Sequence, residues 1–102
     1  MMFARVARYE VEPDRTQEAI EAFHAAVTQL EGTEGLEGGY VCVDYEGGAI
    51  MSMTLWQNRA AMEESERKAA ELRADAAKQV DGSIVSVQSL DVAIEIGAGV
   101  RS

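Results

Sequence analysis

Few side chains in this sequence carry chemistry of their own. His24 is the sole histidine, and imidazole is the one group whose ordinary pKa lies near neutrality, which makes it the first candidate for a general base. It follows Phe23 and stands four residues after Ile20, beside an apolar stripe, so a structural or surface role suits it as well. Residues 49–56 alternate: Met51, Met53 and Leu55 share one face, and Ile50, Ser52, Thr54 and Trp56 share the other. On that second face the Trp56 indole could stack on an aromatic ring, and Ser52 could donate to a phenol or ketone oxygen. An indole that closes a strand also serves as a core anchor, and a serine as a small neighbour. The mixture of hydroxyls and an indole suits a cavity wall better than a tight helix contact. Tyr9, Tyr40 and Tyr45 are phenol donors in segments where aromatic residues also simply pack. Cys42 lies in an apolar strand without a basic neighbour to favour its thiolate, and reads as a buried, inert thiol.

The elements that must position these groups are legible in the pattern. Residues 3–11 have strand content and meet Glu12-Pro13-Asp14, a turn and helix-start signal. From Arg15 the residues Ile20, Phe23, Val27 and Leu30 recur at steps of three and four, predicting a helix that ends near Gly32. Residues 40–45 form a second strand, Glu46-Gly47-Gly48 a hairpin turn, and residues 49–56 the third strand. Asn58 is placed to cap a second helix, whose Met62, Ser65, Ala69, Leu72, Ala76 and Val80 keep the helical rhythm as far as Asp81-Gly82. The last strand changes apolar parity between Val87 and Leu90, which predicts a bulge or break near Gln88-Ser89 before Val92, Ile94 and Ile96. The order β-α-β-β-α-β predicts an α+β, ferredoxin-like antiparallel sheet with both helices on one face. The chain reads as one domain over residues 1–102, with its core at about 3–96 and a loose tail at 97–102.

Composition narrows the partners. With 102 residues, 47% of them hydrophobic and 26% charged, the chain is expected to fold as a single small module. A net charge of -9 repels polyanions, so nucleic acid is excluded as a partner. One cysteine and one histidine rule out an internal disulfide and a His-rich metal site within one chain. No apolar run is long enough to suggest a membrane span and the start lacks a signal core, so the expected location is the cytoplasm. A sheet with helices on one face leaves the other uncovered, and a second copy packed sheet to sheet would make a homodimer with a pocket in each subunit.

Val6-Ala7-Arg8-Tyr9-Glu10-Val11-Glu12-Pro13 before the first helix, Thr33-Glu34-Gly35 before strand two, and Leu55-Trp56 followed by Ala61-Met62 together resemble the antibiotic biosynthesis monooxygenase-like family of dimeric α/β barrels. The resemblance spans about residues 3–96. It implies a homodimer and a small cofactor-independent monooxygenase acting on an aromatic, phenolic or quinol-type compound. Carried over residue by residue, only Trp56 is retained. The Asn and Tyr that line the pocket of polyketide-oxidising relatives fall on Ser52 and Met62, and the His of quinol-oxygenase-like relatives falls on Ser65. The Asn, Trp and iron-binding His of haem-degrading relatives fall on Ala7, Ser65 and Asp75, so haem is disfavoured and no cofactor is expected. The substrate-binding positions implied are Trp56, Ser52, Met62 and Ser65; Trp56, Ser52 and His24 are the candidates for catalysis. The alternative is a non-catalytic, dimeric small-ligand-binding or accessory protein of the same fold. A cavity of about 300 Å³ or more beside Trp56 and Ser52 would support ligand handling of either kind.

Overall fold

The computed structural model describes residues 2–97. Four strands, β1 (Phe3–Glu10), β2 (Leu36–Asp44), β3 (Ala49–Trp56) and β4 (Ser83–Asp91), form one antiparallel sheet in the order β2-β3-β1-β4. A single 3-10 turn at Pro13–Arg15 leads into α1 (Thr16–Thr28), and α2 (Arg59–Glu64) and α3 (Glu66–Gln79) join β3 to β4. The helices cover one sheet face, the ferredoxin-like arrangement expected. Residues 98–102 of the expected tail lie outside the described residues.

Alternation along the central strands decides which residues meet the helices. Ala7 and Tyr9 of β1 and Ile50 of β3 pack with Ala19, Ala22, Phe23 and Ala26 of α1, and with Ala76 and Val80 from the far end of the α3 segment. The Tyr9 and Phe23 rings lie 4.3 Å apart at a tilt of 49°. The stripe that α1 buries runs through Thr16, Ala19, Phe23 and Ala26 rather than through Ile20 and Val27, both of which are half-buried. Alanines let the helix axis approach the sheet closely, and the larger aliphatics then flank the contact. The helix itself stops at Thr28, and the chain continues through turns to Gly32, whose φ of +82° ends them.

The hairpin forms as its residues predict. Asp44 Oδ1 accepts from the N–H of Glu46 at 3.1 Å and of Gly47 at 3.2 Å, closing the turn. Gly48 has φ +76°, and its carbonyl accepts from Val11 N–H at 2.9 Å, so the hairpin docks on the chain leaving β1, where a Cβ would collide with the Val11 carbonyl.

Four expectations need correction. The second helix is two, broken at Ser65, because the carbonyl of Met62 and the hydroxyl of Ser65 are engaged by the side chain of Arg5. The β4 irregularity lies at Val85, not at Gln88-Ser89: Arg8 pairs with Ser86 and Tyr9 with Ile84, leaving one extra residue opposite β1. The strand ends at Asp91, and Ile94 and Ile96 are exposed beyond it. Cys42 is exposed, because the face of β2 that it shares with Tyr40 and Asp44 points away from the helices.

Candidate functional site

The antiparallel register of β1 against β3 places Phe3 beside Trp56, Arg5 beside Thr54, Ala7 beside Ser52 and Tyr9 beside Ile50. All of these lie on the helix-covered face. Of the face expected to suit a cavity wall better than a tight helix contact, Ile50 and Trp56 are buried in packing, whereas Ser52 and Thr54 line a space. The Trp56 ring is wholly buried, its Nε1 donates to Thr54 Oγ1 at 2.8 Å, and the Arg5 guanidinium lies 5.3 Å from its centroid. The Tyr9 hydroxyl and Ser52 Oγ share a hydrogen bond of 3.2 Å. Burial pushes the Tyr9 phenol above its ordinary pKa, and the bond to Ser52 acts in the opposite direction.

Arg5 is the hub of the site. Nε meets Glu66 Oε1 at 2.8 Å, and Nη2 donates to the Met62 carbonyl and to Ser65 Oγ at 3.0 Å. Ser65 Oγ in turn donates to the Met62 carbonyl at 2.8 Å. Glu66 also pairs through Oε2 with Arg73 Nη2 at 2.5 Å, so one carboxylate serves two cations. Burial lowers the Arg5 pKa, the Glu66 charge raises it, and the Arg73 charge lowers it further. Met62 and Ser65 thus come together, as buried parts of the α2–α3 junction, with Arg5 between them and Trp56.

His24 does not join this group. It faces outward from α1 while the neighbouring Phe23 points into the core. Arg5 and Arg73 did not stand out as candidate site residues in the sequence. The signal in β1 was an arginine in phase with Ala7 and Tyr9, on the alternation that faces the core; nothing local singled out Arg73 on a charged helix.

Two adjoining spaces lie toward α1, and a third, of about 370 Å³, is lined by Arg5, Met62, Glu63, Glu66, Val87 and Ser89. Of the first two, the larger, about 290 Å³, lies at the end of α1 beside the edge strand β2, lined by Val27, Leu30 and Glu31, by Leu36, Gly38, Gly39, Tyr40 and Val41, and by Met53 and Thr54 of β3. The smaller, about 40 Å³, is lined by Arg5, Tyr9, Phe23, Ser52, Leu72 and Arg73 among others. Val27, Leu30 and Thr54 line both, so the two spaces adjoin; both are lined mainly by apolar groups, and the smaller adds the side chains of Arg5, Tyr9, Ser52 and Arg73. Ser52 thus faces the small chamber, while Trp56 is held in packing rather than lining the larger space. Among the described residues no three His, Cys, Asp or Glu side chains converge as metal ligands would.

Fold and site together define a small α+β protein whose cavity lies beneath its helices, on the inner face of an antiparallel sheet. The chain belongs to the antibiotic biosynthesis monooxygenase family, whose sequence model matches residues 2–80. No curated protein matches the chain in sequence. Among solved structures, Rv0793 from Mycobacterium tuberculosis is 18% identical, with a TM-score of 0.71, covering 95% of this chain and all (100%) of that one. A protein from Deinococcus radiodurans, described as a candidate antibiotic biosynthesis monooxygenase, is 13% identical with a TM-score of 0.74, covering 95% of this chain and 97% of its own. MupZ from Pseudomonas fluorescens is 16% identical with a TM-score of 0.68, covering 86% of this chain and 69% of its own. At these identities the likeness is one of fold.

Proposed function

We propose that this chain is a cofactor-independent monooxygenase for a phenolic, quinol-type or related aromatic compound, working as a cytoplasmic homodimer. The observation that carries the reading is the apolar space of about 290 Å³ set against a chamber whose polar groups include the Tyr9–Ser52 pair. An aromatic ring suits the first space, and a ring oxygen suits the second. Dioxygen is a triplet, so without another electron source the substrate must supply the electrons, most readily after losing a proton to give an electron-rich anion. A phenol unsubstituted opposite its hydroxyl reacts with one dioxygen to give a quinone and one water, so one oxygen atom enters the product and no external reductant is consumed. The chain's share of this chemistry is to hold the ring, exclude water, and steady the oxygen with hydroxyl donors already in place. The chamber lining contains no carboxylate or imidazole, so readily ionised substrates are the better ones.

Oxygen uptake by purified, metal-free protein is measured against anthrones, naphthols and hydroquinones, alongside Ser52→Ala. Uptake above the spontaneous rate, reduced at least tenfold in the variant, is the expected result. No enhancement across the panel would overturn the reading in favour of a non-catalytic ligand-binding protein, which is itself supported by the structural engagement of Trp56, Met62 and Ser65.

The dimer is supported by the sheet face away from the helices. There the exposed Tyr40 of β2, at 65%, and Leu90 of β4 flank the half-buried Met51, Met53 and Leu55 of β3, an apolar surface with no helix over it. A light-scattering mass of two chains at micromolar concentration is expected; a single-chain mass would remove this part of the proposal.

A further inference from the structure

The polar chamber carries a charge that the fold does not fully use. Arg5 is 4% exposed and spends Nε on Glu66 and Nη2 on the α2–α3 junction, yet Nη1 is buried without a hydrogen-bond partner among the described residues. An unpaired buried donor of a charged group is costly to leave unmade. The guanidinium is planar, with donors on fixed edges. With its Nε–Nη2 edge committed, Nη1 presents its hydrogens elsewhere. Arg73, its side chain 12% exposed, lines the same chamber and shares the one carboxylate, Glu66, with Arg5. Two cations thus share the one carboxylate that pairs with them; Glu63 lines a neighbouring space with Arg5 and Glu66 but forms no ion pair among the described residues. The polar side chains of the chamber, Arg5, Tyr9, Ser52, Thr54 and Arg73, can all donate, and none is a carboxylate.

We infer that Arg5 and Arg73 form an anion subsite, and that the ligand is an aromatic carboxylic acid whose carboxylate enters the chamber while its ring occupies the apolar space toward β2. A space of about 40 Å³ is too small for a ring and suits a group of a few atoms. A carboxylate is ionised at neutral pH, accepts through two oxygens, and is compact enough to meet guanidinium donors in so small a space. A phenol, with a pKa of about 10, arrives uncharged. The inference rests on the reading of this cavity as the ligand site, and not on the oxygen chemistry.

Calorimetric titration of the purified protein with 2-naphthoate, its neutral isostere 2-naphthamide, and 2-naphthol tests it. The expected result is at least tenfold tighter binding of the naphthoate than of either neutral compound. Because Arg5 also ties β1 to the α2–α3 junction, the deciding variant is Arg73→Gln, with circular dichroism to show that it is folded. In that variant the preference is expected to fall by at least threefold while naphthamide binding stays the same. Equal affinity for all three compounds, no binding of any, or an unchanged preference in Arg73→Gln would overturn the inference. Oxygen uptake on the same samples separates the two proposals: charge-selective binding without turnover of any phenol sinks the oxygenase and keeps the subsite. Turnover of neutral naphthols with no charge preference does the reverse.

Discussion

The two faces of the sheet differ in what they hold beside the core. The covered face carries Ala7, Tyr9, Ile50 and Trp56 in apolar packing together with one buried charge, Arg5, and Arg73 lines the same space from α3, whereas the open face carries the half-buried Met51, Met53 and Leu55 and the exposed Leu90 with no helix above them. Buried charge costs solvation and exposed apolar area gains nothing from the fold, so Arg5 on one face and Tyr40 and Leu90 on the other run against what folding alone favours. The difference teaches where the two proposals rest: the open face offers apolar area with no helix over it, and the covered face keeps one buried donor, Arg5 Nη1, without a partner among the described residues.

The largest effect expected from breaking this contrast is on the covered side. Arg5→Met removes the donor to Met62 and Ser65 and the partner of Glu66, and is expected to cost about 3 kcal/mol in chemical denaturation. A cost below about 1 kcal/mol would mean that the buried cation does not hold the α2–α3 junction to β1. On the open side, Met53→Asp should leave the denaturation midpoint of the monomer nearly unchanged. It should weaken self-association at least tenfold, about 1.4 kcal/mol, by analytical ultracentrifugation. A dimer unaffected by that charge would place its interface elsewhere.

Tyr9→Phe sharpens the contrast through pH. The folded chain holds the Tyr9 phenol above its ordinary value of 10.0, because burial disfavours the phenolate. Below that value both folded and unfolded chains keep the proton; above it the unfolded chain loses the proton first, so wild-type stability falls as pH rises. The variant should lose about 1 kcal/mol at neutral pH from the missing hydrogen bond to Ser52 and show a shallower decline above about pH 10. The smallest effect is expected at His24, on the outer side of α1, where alanine should shift stability by less than about 0.5 kcal/mol. Loss of oxygen uptake in His24→Ala would restore it as a candidate base.

Much of the fold was legible because its signals are local. Asp44 and the glycines after it make the hairpin, Asn58 Oδ1 accepts from Ala61 N–H at 2.8 Å as an N-cap, and the strand alternation places Ser52 and Trp56 on one face. The break at Ser65 was not legible, since the helical rhythm from Met62 to Val80 runs through it without interruption. It is imposed by Arg5, 60 residues away in sequence. Likewise, the parity change seen near Gln88 is a real feature of the last strand, but the position of the bulge at Val85 follows from pairing with β1. The candidate site divides in the same way: Ser52 and Trp56 could be read from one strand, whereas Arg73 gains meaning only where Glu66 pairs it with Arg5 of β1.

By itself, then, the sequence determined the elements, the antiparallel α+β topology and which residues share a face, because turn chemistry, capping and periodicity act within a few residues. Tertiary structure alone decided that Trp56 is covered by a cation, that Glu66 is divided between two arginines, and that one donor of Arg5 has no acceptor among the described residues. Electrostatics and hydrogen bonding across a sandwich depend on distances between distant segments, and those distances exist only once the helices have closed over the sheet.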